Sequence, residues 1–111
     1  MNINESIIEN VHLVELDGRL DTVTAPDFQQ KLLATVADGS GKYLVDCTKL
    51  SYISSSGLRV FLMGLKKVKA SGGKFVLCAL QESIAEIFEI AGFSKLFTIA
   101  TNKDEALAQL N

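Results

Sequence analysis

The residues of this sequence with the clearest chemical potential are three adjacent serines, Ser54, Ser55 and Ser56, followed by Gly57. They lie between a short apolar run, which predicts a buried strand, and an amphipathic segment, which predicts a helix. Serine is a favoured N-cap residue, and a helix start also stabilises a phosphate through unpaired N–H groups and a partial positive charge. The cluster therefore predicts either a simple helix cap or a partner or ligand site that would tolerate a phosphate group.

Catalytic and metal chemistry are not predicted. A nucleophilic serine needs a neighbouring base, and the only histidine, His12, falls on an early predicted strand, while the G-x-S-x-G elbow is missing. Cys47 and Cys78 lack the CxxC spacing, so we predict that they are small core residues. They and His12 fall short of the four ligands of a structural zinc. We expect a protein that is not an enzyme and has no cofactor.

Length and charge narrow the class of protein further. A chain of 111 residues with 48% apolar residues predicts a single domain over residues 1–111. The formal charge of −2 and the pI near 5.3 argue against direct binding to nucleic acid, which requires a basic surface. No targeting signal and no membrane span of about 18 apolar residues is predicted, so we expect a cytoplasmic protein without membrane contact. We expect it to be a monomer or a weak dimer.

The alternation of apolar patterns predicts an α/β fold. Strands are predicted at 3–8 and 11–16, which form an N-terminal hairpin before a break at Gly18, and at 43–47, 75–80 and 97–100. Helices are predicted to begin at a Thr24–Asp27 capping box with Pro26, at residue 56, near residue 84 and after the Asn102 cap. Strands that alternate with helices pair in parallel. We therefore predict a mostly parallel mixed sheet with the hairpin at its edge and about four helices.

The helix predicted over residues 56–70 has two apolar faces. At 100° per residue, five residues are predicted to face the sheet: Leu58, Phe61, Leu62, Leu65 and Val68. Four fall on the opposite side: Ser56, Val60, Met63 and Lys67. Gly64 near this side would permit close approach of another chain, and Arg59 and Lys66 form a basic border. Exposed Val60 and Met63 beside a modifiable hydroxyl predict a docking surface.

Three segments carry a resemblance to a known family: Gly18-Arg19-Leu20-Asp21, then residues 52–59, then Gly72-Gly73-Lys74. Together they resemble the STAS domain of bacterial anti-sigma factor antagonists, in order, from about residue 11 to residue 110. The resemblance implies a protein that binds an anti-sigma factor, itself a serine kinase, and thereby releases the sigma factor for transcription. It also implies phosphorylation of Ser56 by that kinase and dephosphorylation by a phosphatase.

The family motif usually opens with Asp where this chain has Ser54, which leaves Ser54 and Ser55 as alternative acceptors to Ser56. Ser56 is preferred because it adjoins Gly57 and shares the predicted exposed column. The expected partner-binding residues are Asp21, Thr22, Ser54, Ser55, Gly57, Arg59, Val60, Met63 and Lys67. For Asp21, a role in shaping a turn is an equally good interpretation.

A second interpretation stays within the same fold. Similar domains serve as accessory subunits that bind the ATPase of an ABC transporter, as parts of stress-sensing assemblies, or as modules for small ligands. Phosphorylation of Ser56 is not required in those roles. Capture of a transporter ATPase in place of a kinase-like anti-sigma factor would favour this alternative.

Overall fold

Five strands form one sheet in the same order as they occur along the chain, as seen in a computed structural model that describes residues 1–111. The strands are β1 (Asn2–Ile8), β2 (Val11–Leu20), β3 (Lys42–Ile53), β4 (Lys74–Cys78) and β5 (Thr98–Ala100). The helices are α1 (Ala25–Thr35), α2 (Ser55–Ala70), α3 (Glu82–Ile90) and α4 (Lys103–Leu110). A short 3₁₀ helix, Phe93–Lys95, precedes β5. This architecture confirms the predicted α/β fold with four helices.

The N-terminal hairpin forms as predicted. Strands β1 and β2 pair in antiparallel register, while β2–β3, β3–β4 and β4–β5 are parallel. Glu9 and Asn10, which connect β1 to β2, have φ values of 49° and 65°. Two consecutive positive φ angles are the signature of the tight turn whose twist suits a two-residue hairpin. The hairpin places β1 at the edge of the mixed sheet.

The sheet separates two apolar layers. Helices α1, α2 and α3 cover one face over a cluster of 21 buried residues, and α4 covers the other over a cluster of nine. Consecutive residues of β4 point to opposite layers, so Leu77 belongs to the larger cluster and Cys78 to the smaller one. Cys47, on β3, belongs to the larger cluster, which confirms that both cysteines are free, buried core residues.

Strands β2 and β3 are longer than the sequence predicts. Strand β2 continues past Gly18, which has a φ of 121° and lies at an irregularity in the pairing with β3. Strand β3, predicted to end at residue 47, continues to Ile53. Lys49 pairs with Asp17, and Ile53 pairs with Leu20. The predicted breaks were wrong because a bulge accommodates the glycine without ending the pairing.

Helix α1 begins without the predicted capping box. Thr24 has helical dihedrals and makes no side-chain capping bond. Its hydroxyl donates to the Arg19 carbonyl oxygen at 2.8 Å and accepts from the Asp21 N–H at 2.9 Å. Pro26 does lie in the first turn, as predicted. No helix in the chain is both long enough and apolar enough to cross a membrane.

Candidate functional site

The full lengths of β2 and β3 bring two distant segments of the sequence together. Leu20 and Ile53 are paired at the carboxyl ends of these parallel strands, and the Ser54 N–H donates to the Leu20 carbonyl oxygen at 2.8 Å. The turn that contains Asp21 and Thr22 therefore lies beside the start of α2. In open α/β sheets, binding sites are found at the carboxyl ends of the strands.

Ser54 is the N-cap of α2. It has extended dihedrals, and its Oγ accepts a hydrogen bond from the Gly57 N–H at 3.2 Å. The helix thus begins at Ser55, one residue earlier than predicted. Because aspartate and serine are both favoured N-caps, Ser54 fills a capping role that an aspartate at the same position could also fill.

The cap leads to a stability prediction. A Ser54→Ala substitution should lower the free energy of unfolding by about 1 kcal/mol, because the Gly57 N–H loses its acceptor. A Ser54→Asp substitution should retain most of the stability, because aspartate is also a favoured N-cap. Ser55→Ala is the matched control, because Ser55 is exposed in the same turn and does not cap the helix. Urea unfolding of the variants measures the effect, and equal losses for the alanine variants at 54 and 55 would contradict the assignment.

Ser55 and Ser56 occupy the first two positions of α2, and neither hydroxyl takes part in the cap. Ser55 is exposed and Ser56 is half-buried. The first N–H groups of any α-helix lack partners within the helix, and the first turn of α2 has no acidic residue to neutralise its partial positive charge. The position is electrostatically suited to a negatively charged group.

Gly57 is buried, in contrast to its predicted role as a contact residue. A Cβ atom added to Gly57 would approach Leu20 Cγ to 2.7 Å and Ile53 Cγ1 to 3.0 Å. The glycine therefore lets the start of α2 lie directly on the ends of β2 and β3. Gly57 lies between α2 and the ends of β2 and β3, and it adds no side chain to the exposed surface of the site.

The predicted orientation of α2 was wrong by roughly 60°, at 100° per residue. Val60, predicted to be exposed, has only 2% of its surface exposed. The buried stripe consists of Gly57, Val60, Phe61, Gly64, Leu65 and Val68. The cause is α1, which packs against this side of α2: a Cβ added to Gly64 would meet Leu32 Cδ2 at 2.8 Å. The close approach predicted for Gly64 thus serves α1 and not another chain.

The rotation changes the composition of the exposed face. Leu58 and Leu62, predicted to face the sheet, are half-buried, as is Met63. The residues that remain accessible around Ser56, which we call the serine face, are Ser55, Ser56, Arg59, Met63 and Lys67. This surface is less apolar than the sequence predicts, because Val60 is missing from it.

Asp21 shapes the turn beside the serine face. Its Oδ1 accepts hydrogen bonds from the N–H groups of Val23 and Thr24, both at 3.0 Å, and lies 3.2 Å from the Thr24 hydroxyl oxygen. The bond from the Thr24 N–H is the largest influence that lowers the pKa of Asp21 below its ordinary value. This geometry supports the turn-shaping interpretation of Asp21. Thr22, the next residue, is exposed.

Two residues to which the sequence assigned no role extend the site. The Arg19 guanidinium carbon lies 4.2 Å from the centre of the Tyr52 ring, and the two residues are paired across β2 and β3. Both side chains are exposed at the same edge of the sheet. They occur in the family-like segments, but only the pairing of the two strands reveals that they contact each other. Nowhere are three or more His, Cys, Asp or Glu side chains grouped to hold a metal ion.

Comparisons with known proteins agree on one family. Residues 2–106 match the STAS domain. The chain is 33% identical over 108 residues to BtrV of Bordetella bronchiseptica, a candidate anti-sigma factor antagonist, covering 97% of this chain and 93% of BtrV. It is 31% identical over 107 residues to the anti-sigma-B factor antagonist of Bacillus subtilis, covering 94% and 96%. The crystal structure of a candidate anti-sigma factor antagonist from Thermotoga maritima shares the fold, with a TM-score of 0.91, 20% identity and coverage of 97% and 93%.

Proposed function

Because the chain belongs to the STAS domain family, we propose that it is an anti-sigma factor antagonist, a regulatory binding protein and not an enzyme. Two relatives that align over more than nine tenths of their own length carry this name. The proposed partner is an anti-sigma factor that is also a serine kinase, and binding releases a sigma factor for transcription. The proposed compartment is therefore the cytoplasm.

The observation that carries the proposal is that the start of the serine face and the Arg19–Tyr52 pair lie at the same end of the sheet. Both lie at the carboxyl ends of β2 and β3, because the start of α2 is bonded to Leu20. Arginine and tyrosine are over-represented among the residues that dominate binding energy in interfaces, and methionine adapts to irregular partner surfaces. A partner that covers this edge would contact Asp21 and Thr22 on one side and Arg59, Met63 and Lys67 on the other.

The proposed acceptor of the regulatory phosphate is Ser56. The Ser54 oxygen is engaged as the N-cap, which leaves Ser55 and Ser56 with unengaged hydroxyls. Ser56 lies in one column with Met63 and Lys67 on the serine face, and Ser55 is the alternative. The Ser56 oxygen forms a bond to the γ-phosphorus of ATP, the bond to the β-phosphate oxygen breaks, ADP leaves, and the hydroxyl proton passes to a base of the kinase. A phosphatase reverses the modification by hydrolysis.

In the proposed switch, phosphorylation destabilises the complex with the partner and leaves the free protein folded. A phosphoserine carries nearly two negative charges, which the N–H groups at the start of α2 stabilise in the free protein. At an interface the same charge would have to lose its hydration against the partner, at a cost of several kcal/mol. The phosphorylated protein is therefore folded but dissociated.

Phosphopeptide mapping of the protein isolated from its own cells tests the proposal. We expect the phosphate on Ser56, and we expect a Ser56→Ala variant from the same cells to lack that phosphopeptide. A phosphate confined to Ser54 or Ser55 would show that the acceptor is wrongly assigned. An unmodified protein that copurifies with a transporter ATPase would contradict the proposed function and favour the accessory-subunit interpretation.

A further inference from the structure

Arg59 is an exposed cation one turn along α2 from Ser56. None of the three salt bridges of the protein includes it. Residues three apart on a helix are neighbours on its surface, and long side chains of a helix lean toward its N-terminus. A side chain at position 59 that leans in this direction reaches a group attached to the Ser56 oxygen.

The other charged groups near this point do not compete for that position. Arg19, at the end of β2, stacks on the Tyr52 ring of β3. Asp21 accepts hydrogen bonds within its own turn, and α2 has no acidic residue. Lys66 and Lys67 are ten and eleven residues along α2 from Ser56, about 15 Å away at 1.5 Å per residue. Arg59 is the nearest basic residue to Ser56 on this helix.

We propose that Arg59 binds the phosphate of phosphorylated Ser56 within the same helix. The inference rests on the proposed phosphorylation and adds a second effect to it. Arginine presents a planar fork of donors that matches two phosphate oxygens. The phosphate thus adds negative charge to the serine face. It also pairs with Arg59, which is then no longer free to contact the partner. Arg59 is a positioning residue for the phosphorylated state.

Phosphorus NMR of the full chain, with phosphoserine incorporated genetically at position 56, tests the pairing. A neighbouring cation stabilises the doubly charged phosphate and lowers its second pKa, which is near 6 in a free phosphoserine. Arg59→Gln should raise that pKa by about 0.2 to 0.4, as expected for a helical ion pair near the surface. Arg59→Lys, which keeps the charge and loses the fork, should raise it by a smaller amount.

Lys67→Gln is the matched control, because it removes the same charge from the same exposed face of α2 at a greater distance. In the Lys67→Gln variant, the second pKa of the phosphoserine should stay within about 0.1 of its value in the parent protein. Screening weakens electrostatic interactions beyond the Debye length of roughly 8 Å. Equal shifts for Arg59→Gln and Lys67→Gln, or no shift for either, would overturn the pairing. Because the phosphoserine is installed independently of any kinase, this result is separate from the outcome of the phosphopeptide mapping.

Discussion

A Ser56→Asp substitution is expected to weaken binding to the anti-sigma factor at least about 100-fold, whereas Ser56→Ala should change the affinity less than about threefold. A hundredfold loss corresponds to about 2.7 kcal/mol, which is within the cost of removing a carboxylate from water at an interface. The alanine removes only a half-buried hydroxyl that takes no part in the helix cap. The charge, and not the loss of the hydroxyl, is therefore expected to govern the affinity.

Isothermal titration of each variant with the purified anti-sigma factor measures this difference. Ser94→Asp is the matched control, since Ser94 is an exposed serine in the 3₁₀ helix that precedes the amino end of β5. It adds the same charge at the opposite edge of the sheet and should leave the affinity unchanged. If Ser56→Asp and Ser56→Ala bind equally well, the serine face is not the switch, and an equal loss for Ser94→Asp would implicate net charge instead.

Features that depend on local sequence could be predicted. The hairpin follows from the residues around Glu9 and Asn10, and the final helix from Asn102, whose Oδ1 accepts from the Glu105 N–H at 2.8 Å. The serine cluster could be assigned to a helix start for the same reason, because capping involves residues only three apart. The order of apolar strands and helices was sufficient to predict the mostly parallel sheet.

Features that depend on distant contacts could not be predicted. Val60 is buried because α1 packs against α2. The sequence of α2 alone does not indicate which of its sides another helix will cover. Gly57 and Gly64 did offer a signal, since glycines spaced seven apart on one side of a helix permit close packing. Likewise, the Arg19–Tyr52 contact depends on the register of β2 against β3, which a bulge at Gly18 shifts.

A Gly73→Ala substitution is expected to lower the free energy of unfolding by about 3 kcal/mol or more. Gly73 joins the end of α2 to β4, and its N–H donates to the Val68 carbonyl oxygen at 3.1 Å. An added Cβ would overlap the carbonyl oxygens of Gly39 and Gly41, which belong to the turn before β3. Both are backbone atoms, and the Gly41 oxygen also accepts from the Lys74 N–H at 3.0 Å, so it cannot move without disturbing the start of β4.

Gly72→Ala separates this overlap from backbone strain. Gly72 has a φ of 79°, and no atom lies within 4 Å of an added Cβ, so its substitution should cost only about 1 kcal/mol. Urea unfolding of both variants measures the loss in the free energy of unfolding. Equal losses would show that backbone conformation, and not steric overlap, is the reason that both positions require glycine. Because residue 73 fixes the end of α2 and Gly57 fixes its start, displacement at Gly73 should also move the serine face. We therefore expect Gly73→Ala to weaken partner binding even at temperatures where the protein remains folded.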